Sequence, residues 1–396
     1  MLDKNKMAIP VGVAFVWFTT QFGGGFASGA QLFQYFIVYG LIGLFTPVLA
    51  QAMGAFFQWY GLRYAYRNKT FDYKSFNDSF FGKYRFIFSN LYEVLYIVLL
   101  CLAPSVAFAT GGATLSQLTG INYMLCTVII GAFIFFVTIF GTDFVRRVAS
   151  TLSIMIIAGL LVVFIPNIIA QWPVIVETIQ TMASEFTLAK AGAGLWSCLI
   201  YGAFQLASIG LLMQHAEPFS SDKDAKTAMF YGFIVNGSMI FISTLGLLGV
   251  AKNPELIASM SNPTLAKSFV PTVFMVQRGV GASVFTPIIS VLIILGAIST
   301  AVNMVAGVVQ RFVVAAEKRT TGEFTEKKEK TYTYVVAGLF TALAWSIAQF
   351  GLIPLVAKGY GLLGYLTIPV IVIPFIIHMI MSKKDVQRPE LEQPKE

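Results

Sequence analysis

The chain of 396 residues is 57% hydrophobic and only 12% charged, with a net charge of +8. A soluble domain carries about a quarter of its residues charged, so this composition excludes an ordinary soluble protein and points to one that crosses a membrane many times. The basic excess follows from topology and lipid head groups and gives no reason to invoke nucleic acid.

A spanning helix needs about 20 predominantly apolar residues. Ten such segments can be drawn, at roughly 7–38, 41–61, 86–117, 122–142, 148–168, 191–215, 227–250, 282–311, 332–351 and 359–382. With the N-terminus in the cytoplasm, 22 of the 27 Lys and Arg fall on the cytoplasmic side, leaving only Lys190, Lys252, Lys267, Arg278 and Lys358 outside. The positive-inside rule therefore favours this orientation, an even number of spans and two cytoplasmic termini in the cell inner membrane. The first apolar stretch is too long for a signal-peptide core and is expected to be a retained span.

Inside that first span lies the run Gln21, Phe22, Gly23, Gly24, Gly25, Phe26, Ala27, Ser28, Gly29. Each of three adjacent glycines costs a helix about 1 kcal/mol relative to Ala, so the run predicts a break. Freed backbone groups at membrane depth are tolerated where they line a cavity. The expected outer half-helix begins near Phe26 and turns the N–H groups of Gly24, Gly25 and Phe26 toward a substrate carboxylate. Gln21, Gly23, Ala27 and Ser28 complete that wall. The competing expectation is close helix packing through the Gly25/Gly29 pair.

Further along, Arg67 to Tyr84 mixes aromatic and charged residues and predicts an amphipathic element on the cytoplasmic surface. Segment 3 carries Glu93, a membrane-embedded acid expected to be a proton carrier or a gate-side carboxylate paired with Arg85 or Arg146. The same segment holds Ser105 and the small run Gly111, Gly112, Ala113, Thr114. Asp143, beside Arg146 and Arg147, reads as a solvated surface charge. Cys101, Cys126 and Cys198 lie in spans without metal or redox spacing and read as small buried residues.

Segment 6 is interrupted near Ala207, Ser208, Ile209 and Gly210, about as far into its span as the glycines are into segment 1. Segments 1 and 6 open two five-helix halves of opposite orientation, and matched interruptions in an inverted repeat point to a transporter's binding site. Phe204, Gln205 and Ser208 flank the second break and are expected to face the substrate. The stretch from Ala251 to Gly281, with Pro254, Pro263 and Pro271, predicts a structured hairpin acting as a lid or a rigid connection.

Segment 8 contains Gly296, Ser299, Thr300 and Asn303. Its adjacent hydroxyls suit a hard cation, or bond back to their own helix, and Asn303 is a candidate substrate contact. Ala316 to Thr331 is a charged linker. The organisation expected is a first repeat over 1–170, an extracellular connection over 171–190, a second repeat over 191–382 and a polar cytoplasmic tail over 383–396. No nucleophile, P-loop or histidine-rich metal motif is present, and no cofactor or enzymatic activity is expected.

Ten spans with breaks in the first and sixth resemble the LeuT fold of the amino acid–polyamine–organocation superfamily. The stretch from Gly24 to Gln31, with Gly111 to Thr114, resembles the bacterial YkvI-type branch of amino acid permeases. The resemblance implies an all-α polytopic membrane protein with a five-plus-five inverted repeat and discontinuous helices 1 and 6. It also implies a cation held by the carbonyls of Thr19, Phe22 and Gly296 and the hydroxyls of Ser299 and Thr300. Proton-coupled relatives often carry a Lys on segment 5, and Val148 to Phe164 contains none. The expectation is a secondary active transporter of a small amino acid or similar zwitterion, driven by Na⁺. The alternatives are proton coupling through Glu93, or a membrane sensor that binds the same ligand without moving it.

Overall fold

The computed structural model describes residues 4–140, 142–320 and 325–382, and every regular element among them is helical. In chain order the helices are α1 (Lys4–Gln21), α2 (Gly24–Ala27), α3 (Ala30–Tyr35), α4 (Thr46–Asn68), α5 (Tyr73–Phe81), α6 (Arg85–Thr119) and α7 (Tyr123–Phe140). They continue with α8 (Thr142–Ala170), α9 (Trp172–Ser184), α10 (Leu188–Leu206), α11 (Ile209–Leu212), α12 (Asp222–Leu248), α13 (Pro254–Ser261) and α14 (Pro271–Gln277). The last are α15 (Ala282–Arg319), α16 (Glu326–Ala348), α17 (Leu352–Pro354), α18 (Tyr360–Thr367) and α19 (Ile373–Met381).

Among the described residues, six helices are long and apolar enough to cross a membrane, and three bent pairs add one span each. The broken first span, α1 to α3, makes ten. Outward side chains support the assignment: Val128, Phe133, Phe136 and Phe140 on α7 are all exposed, an apolar face that suits lipid. The chain is thus an integral membrane protein with ten helical spans, as its hydropathy indicates. Span 8 runs on to Arg319, past the predicted end at 311, and α16 already starts at Glu326, so both ends of the charged linker are helix. The side chains of Asp143, Arg146 and Arg147, and the tail beyond residue 382, lie outside the described residues.

Packing divides the spans into two groups. In one, α15 lies along α6, and α16 covers both together with α7. In the other, α12 lies along α1 and α4, and α10 packs on α4. The two groups are bridged by α8, which packs on both α15 and α12, and the short α2 touches α6 and α15.

Three connections shape the ends. Asp72 caps α5 by accepting from the amides of Lys74 and Ser75. The apolar face of α5 does not lie on lipid as its amphipathic sequence suggests. Phe76 and Phe80 pack inward against Tyr64 and Phe375, with Phe76 fully buried. Helices α13 and α14 each start with Pro in the first turn, where a missing N–H costs nothing. They form a compact cap whose Thr272 amide donates to the Ser28 carbonyl at 2.9 Å.

Candidate functional site

The helical ladder of α1 ends with the Phe22 amide on the Phe18 carbonyl at 2.8 Å. The Phe26 amide, which a continuous helix would offer to Phe22, bonds instead to Gly23 at 3.0 Å, and the Ala27 amide joins it there at 3.2 Å. The Phe22 carbonyl is thereby released from the ladder. The break falls at Phe22 and Gly23, one residue earlier than the glycine run suggests, because Gly24 and Gly25 coil into α2. The Phe26 amide is consequently spent within the turn and does not face a ligand, contrary to the sequence-based expectation. The amides of Gly24 and Gly25 stand in the first turn of α2, where a helix has no carbonyl of its own to offer them. A second break follows at Gly29, whose φ of 80° favours glycine.

Glycine is also needed for close approach. A Cβ on Gly24 would lie 2.9 Å from the Cα of Ala297, and one on Gly23 2.6 Å from the Thr300 hydroxyl. Close helix approach is made to α15 by Gly23 and Gly24 rather than by the Gly25/Gly29 pair, so the same run that breaks the span also seats it.

The second broken span bends by 47° between α10 and α11. The Tyr92 hydroxyl of α6 bridges the gap, donating to the Ala207 carbonyl at 3.3 Å and accepting from the Gly210 amide at 3.0 Å. Gly210 leaves room for it, since a Cβ there would lie 2.5 Å from that hydroxyl. Sequence reasoning missed Tyr92, one tyrosine among 16 and far from the break it serves.

Two connected cavities lie between the breaks. The smaller, about 50 Å³, is bounded by Gln21, Gly23, Gly24 and Gly25 on one side and Phe204, Gln205 and Ser208 on the other. The larger, about 310 Å³, takes in Thr19, Phe22, Gly296, Ser299, Thr300 and Asn303. They share Thr20, Gly23, Ser208, Thr300 and Met304. Because successive spans alternate in direction, Val16, His215 and Gly307, which line the larger cavity, belong to the half of the bundle that carries the N-terminus. Thr19 and Thr20 are exposed there, in mid-span. The larger cavity is the vestibule of that face.

The opposite face is shut. Phe204 and Tyr360 stack with centroids 4.6 Å apart and planes at 9°. Tyr35 donates to the Val356 carbonyl at 2.9 Å, within the wide π-type turn Leu355–Gly359 that precedes Tyr360. Beyond them the α13–α14 cap rests on Ser28. Tyr360 and Gln31, which also line the smaller cavity, were not singled out from sequence.

Four proposed contacts line neither cavity: Phe26, Ala27, Ser28 and Ser105. Phe26 is buried against Phe22, the Ser28 hydroxyl donates to Gly25 at 2.8 Å, and the Ser105 hydroxyl donates to its own helix at Cys101, 2.6 Å away. Thr300 likewise donates to the Gly296 carbonyl at 3.0 Å, the local bond expected of a hydroxyl in a span, and its oxygen keeps lone pairs for a cation. Glu93 faces Arg311 at 3.2 Å rather than Arg85, and both side chains are about one-third exposed. The Arg311 guanidinium sits 4.8 Å from both the Tyr73 and Tyr96 rings.

No family model matches the sequence, and no curated protein matches it. Solved structures do. A substrate-bound, outward-open Na⁺-coupled sialic acid symporter aligns with 95% of this chain and 95% of its own, at TM-score 0.52 and 13% identity. The inward-facing conformation of Mhp1 aligns with 96% of this chain and 78% of its own, at TM-score 0.54 and 16% identity. Mhp1, a nucleobase-cation-symport-1 family transporter, in a closed conformation with bromovinylhydantoin bound, aligns at TM-score 0.50 and 16% identity over 96% of this chain and 81% of its own. At such identities the likeness establishes the fold: an all-α LeuT-like arrangement with discontinuous first and sixth spans.

Proposed function

We propose that the chain is a secondary active transporter that carries a small amino acid or similar zwitterionic solute by alternating access, coupled to Na⁺. The observation that carries this reading is the pair of opposed helix breaks around a cavity that is open to one face and shut at the other by Phe204, Tyr360 and the cap. Unwound backbone at mid-span supplies both donors and acceptors without a formal charge, which suits a solute that must be released again. The scaffold of α6, α7, α15 and α16 is the surface against which α1, α4, α10 and α12 rock. The distribution of Lys and Arg supports cytoplasmic termini, and the proposed residence is the cell inner membrane.

Thr19, Phe22 and Gly296 would offer carbonyls to Na⁺, and Ser299 and Thr300 hydroxyls. All five residues line the vestibule, and the break releases the Phe22 carbonyl from its helical partner. Neutral oxygen ligands suit a hard monovalent cation. Proton coupling through Glu93 is less well supported, since that carboxylate is engaged with Arg311 and lines neither cavity. Its place beside Tyr96, which does line the vestibule, suits a gate on the N-terminal side.

Reconstitution into proteoliposomes tests the reading. A sodium gradient is expected to drive accumulation of a small neutral amino acid. Binding without accumulation under a sodium or a proton gradient would leave the sensor reading and remove the transporter.

A further inference from the structure

Gln31, Tyr201 and Gln205 form one hydrogen-bonded chain at the outer wall of the smaller cavity. The Tyr201 hydroxyl donates to Gln31 Oε1 at 3.3 Å and accepts from Gln205 Nε2 at 3.1 Å. All three side chains are buried, with 1% of Tyr201, 4% of Gln31 and 9% of Gln205 exposed. A hydroxyl has one proton, so between two carboxamides it donates to one and accepts from the other. The chain as oriented holds Gln31 by its oxygen and Gln205 by its nitrogen, and turning both amides over would exchange the donor and acceptor ends. One glutamine is always held by its oxygen and the other by its nitrogen, so the pair keeps one NH₂ and one C=O free of Tyr201.

Both glutamines line the cavity, from opposite broken spans. Gln31 Nε2 lies beside Gly25, 3.0 Å from where a Cβ would stand, next to the first-turn amides of α2. Donors are thereby gathered at one end. Gln205, one residue from the stacked Phe204, lines the cavity from the other broken span and is held to Tyr201 by its nitrogen, which leaves its carbonyl free of that hydroxyl. None of the residues lining this cavity carries a formal charge. A lone charge brought into such surroundings would lose its hydration without compensation.

The geometry points to a polarity filter. Gln31 and Gln205 read one acceptor and one donor on a compact solute of zero net charge, as the carboxylate and ammonium of a small amino acid present them, and Tyr201 is the positioning residue that keeps the two carboxamides in opposite senses. The filter rests on the smaller cavity being the substrate site.

The test uses L-alanine, propionate and ethylamine at pH 7 as probes, since the last two each lack one of alanine's polar groups. Thermal stabilisation of the purified full chain reads binding, and proteoliposome uptake reads transport. L-Alanine should bind at least about tenfold more tightly than either fragment. Tyr201→Phe keeps the ring and removes the hydroxyl, so it should cut that discrimination at least about tenfold, a change in selectivity that lowered probe-free melting alone would not produce. Gln205→Glu should shift preference toward ethylamine, and Gln31→Glu should reject both propionate and L-alanine. Tighter binding of propionate or ethylamine than of L-alanine by the unmodified chain overturns the filter. So does an unchanged preference in all three variants, even if L-alanine is transported. Selective binding without uptake would instead remove the transport reading and leave the filter standing.

Discussion

The two helix breaks that face each other across the cavity are built by different means. The first is written into its own residues: Gly23 and Gly24 bring the backbone against Thr300 and Ala297, where any side chain would collide. The second has no such run. Its free carbonyl and amide are satisfied by Tyr92, 115 residues from Ala207 in the chain and on the other helical group. One break is thus set by local backbone freedom and sterics, the other by a tertiary hydrogen bond that ties the sixth span to α6. The first should respond to side-chain volume and the second to the loss of a single oxygen.

Substitutions can separate them. Gly24→Val should have the largest effect, because the Ala297 backbone cannot retreat without moving α15. Overpacking costs about 1–3 kcal/mol, at the upper end here, and thermal unfolding in detergent should show it together with loss of uptake. Tyr92→Phe should cost about 1–2 kcal/mol by leaving the Ala207 carbonyl and Gly210 amide unpartnered. Hydrogen exchange should then rise at 207–210 and stay unchanged at 22–25. Equal exchange at both breaks would refute the distinction between them.

The first break and the glycine wall were legible in the sequence because glycine has no other common reason to appear three times in a row at mid-span. The location of the second break was legible, but its cause was not, since nothing near Ser208 names a tyrosine on another helix. Hydropathy sufficed for the ten spans. It could not decide which hydroxyls turn inward, so Ser105 and Ser28 were grouped with the site although both bond to nearby carbonyls. Gln31 and Tyr360 escaped notice for the same reason. Each sits in its cavity through packing between spans distant in sequence, and Tyr360 also depends on a π-type turn that no local residue pattern announces.

Two smaller effects sharpen the comparison on the ion side. Replacing Ser299 and Thr300 together by Ala should abolish the sodium-dependent rise in stability, about 1.4 kcal/mol at ten times Kd, while melting without sodium stays nearly constant. A sodium response equal to that of the unmodified chain would place the ion elsewhere. Glu93→Gln should change stability least, by less than about 1 kcal/mol, because its pairing with Arg311 is screened by solvent. Uptake by that variant should remain sodium-driven, and loss of coupling would favour the proton alternative.

The central claim is that the site opens to the two faces in turn, and that the face closed by the cap must open during each cycle. Ser28 and Thr272 are joined by a backbone hydrogen bond at 2.9 Å, which makes them neighbours across the junction of the first broken span and the cap. In a background with Cys101, Cys126 and Cys198 replaced by Ala, paired Ser28→Cys and Thr272→Cys substitutions allow a cross-link to be made and broken. Uptake into proteoliposomes should stop on oxidation and return on reduction. Uptake that continues at the same rate with the cap locked would contradict the account.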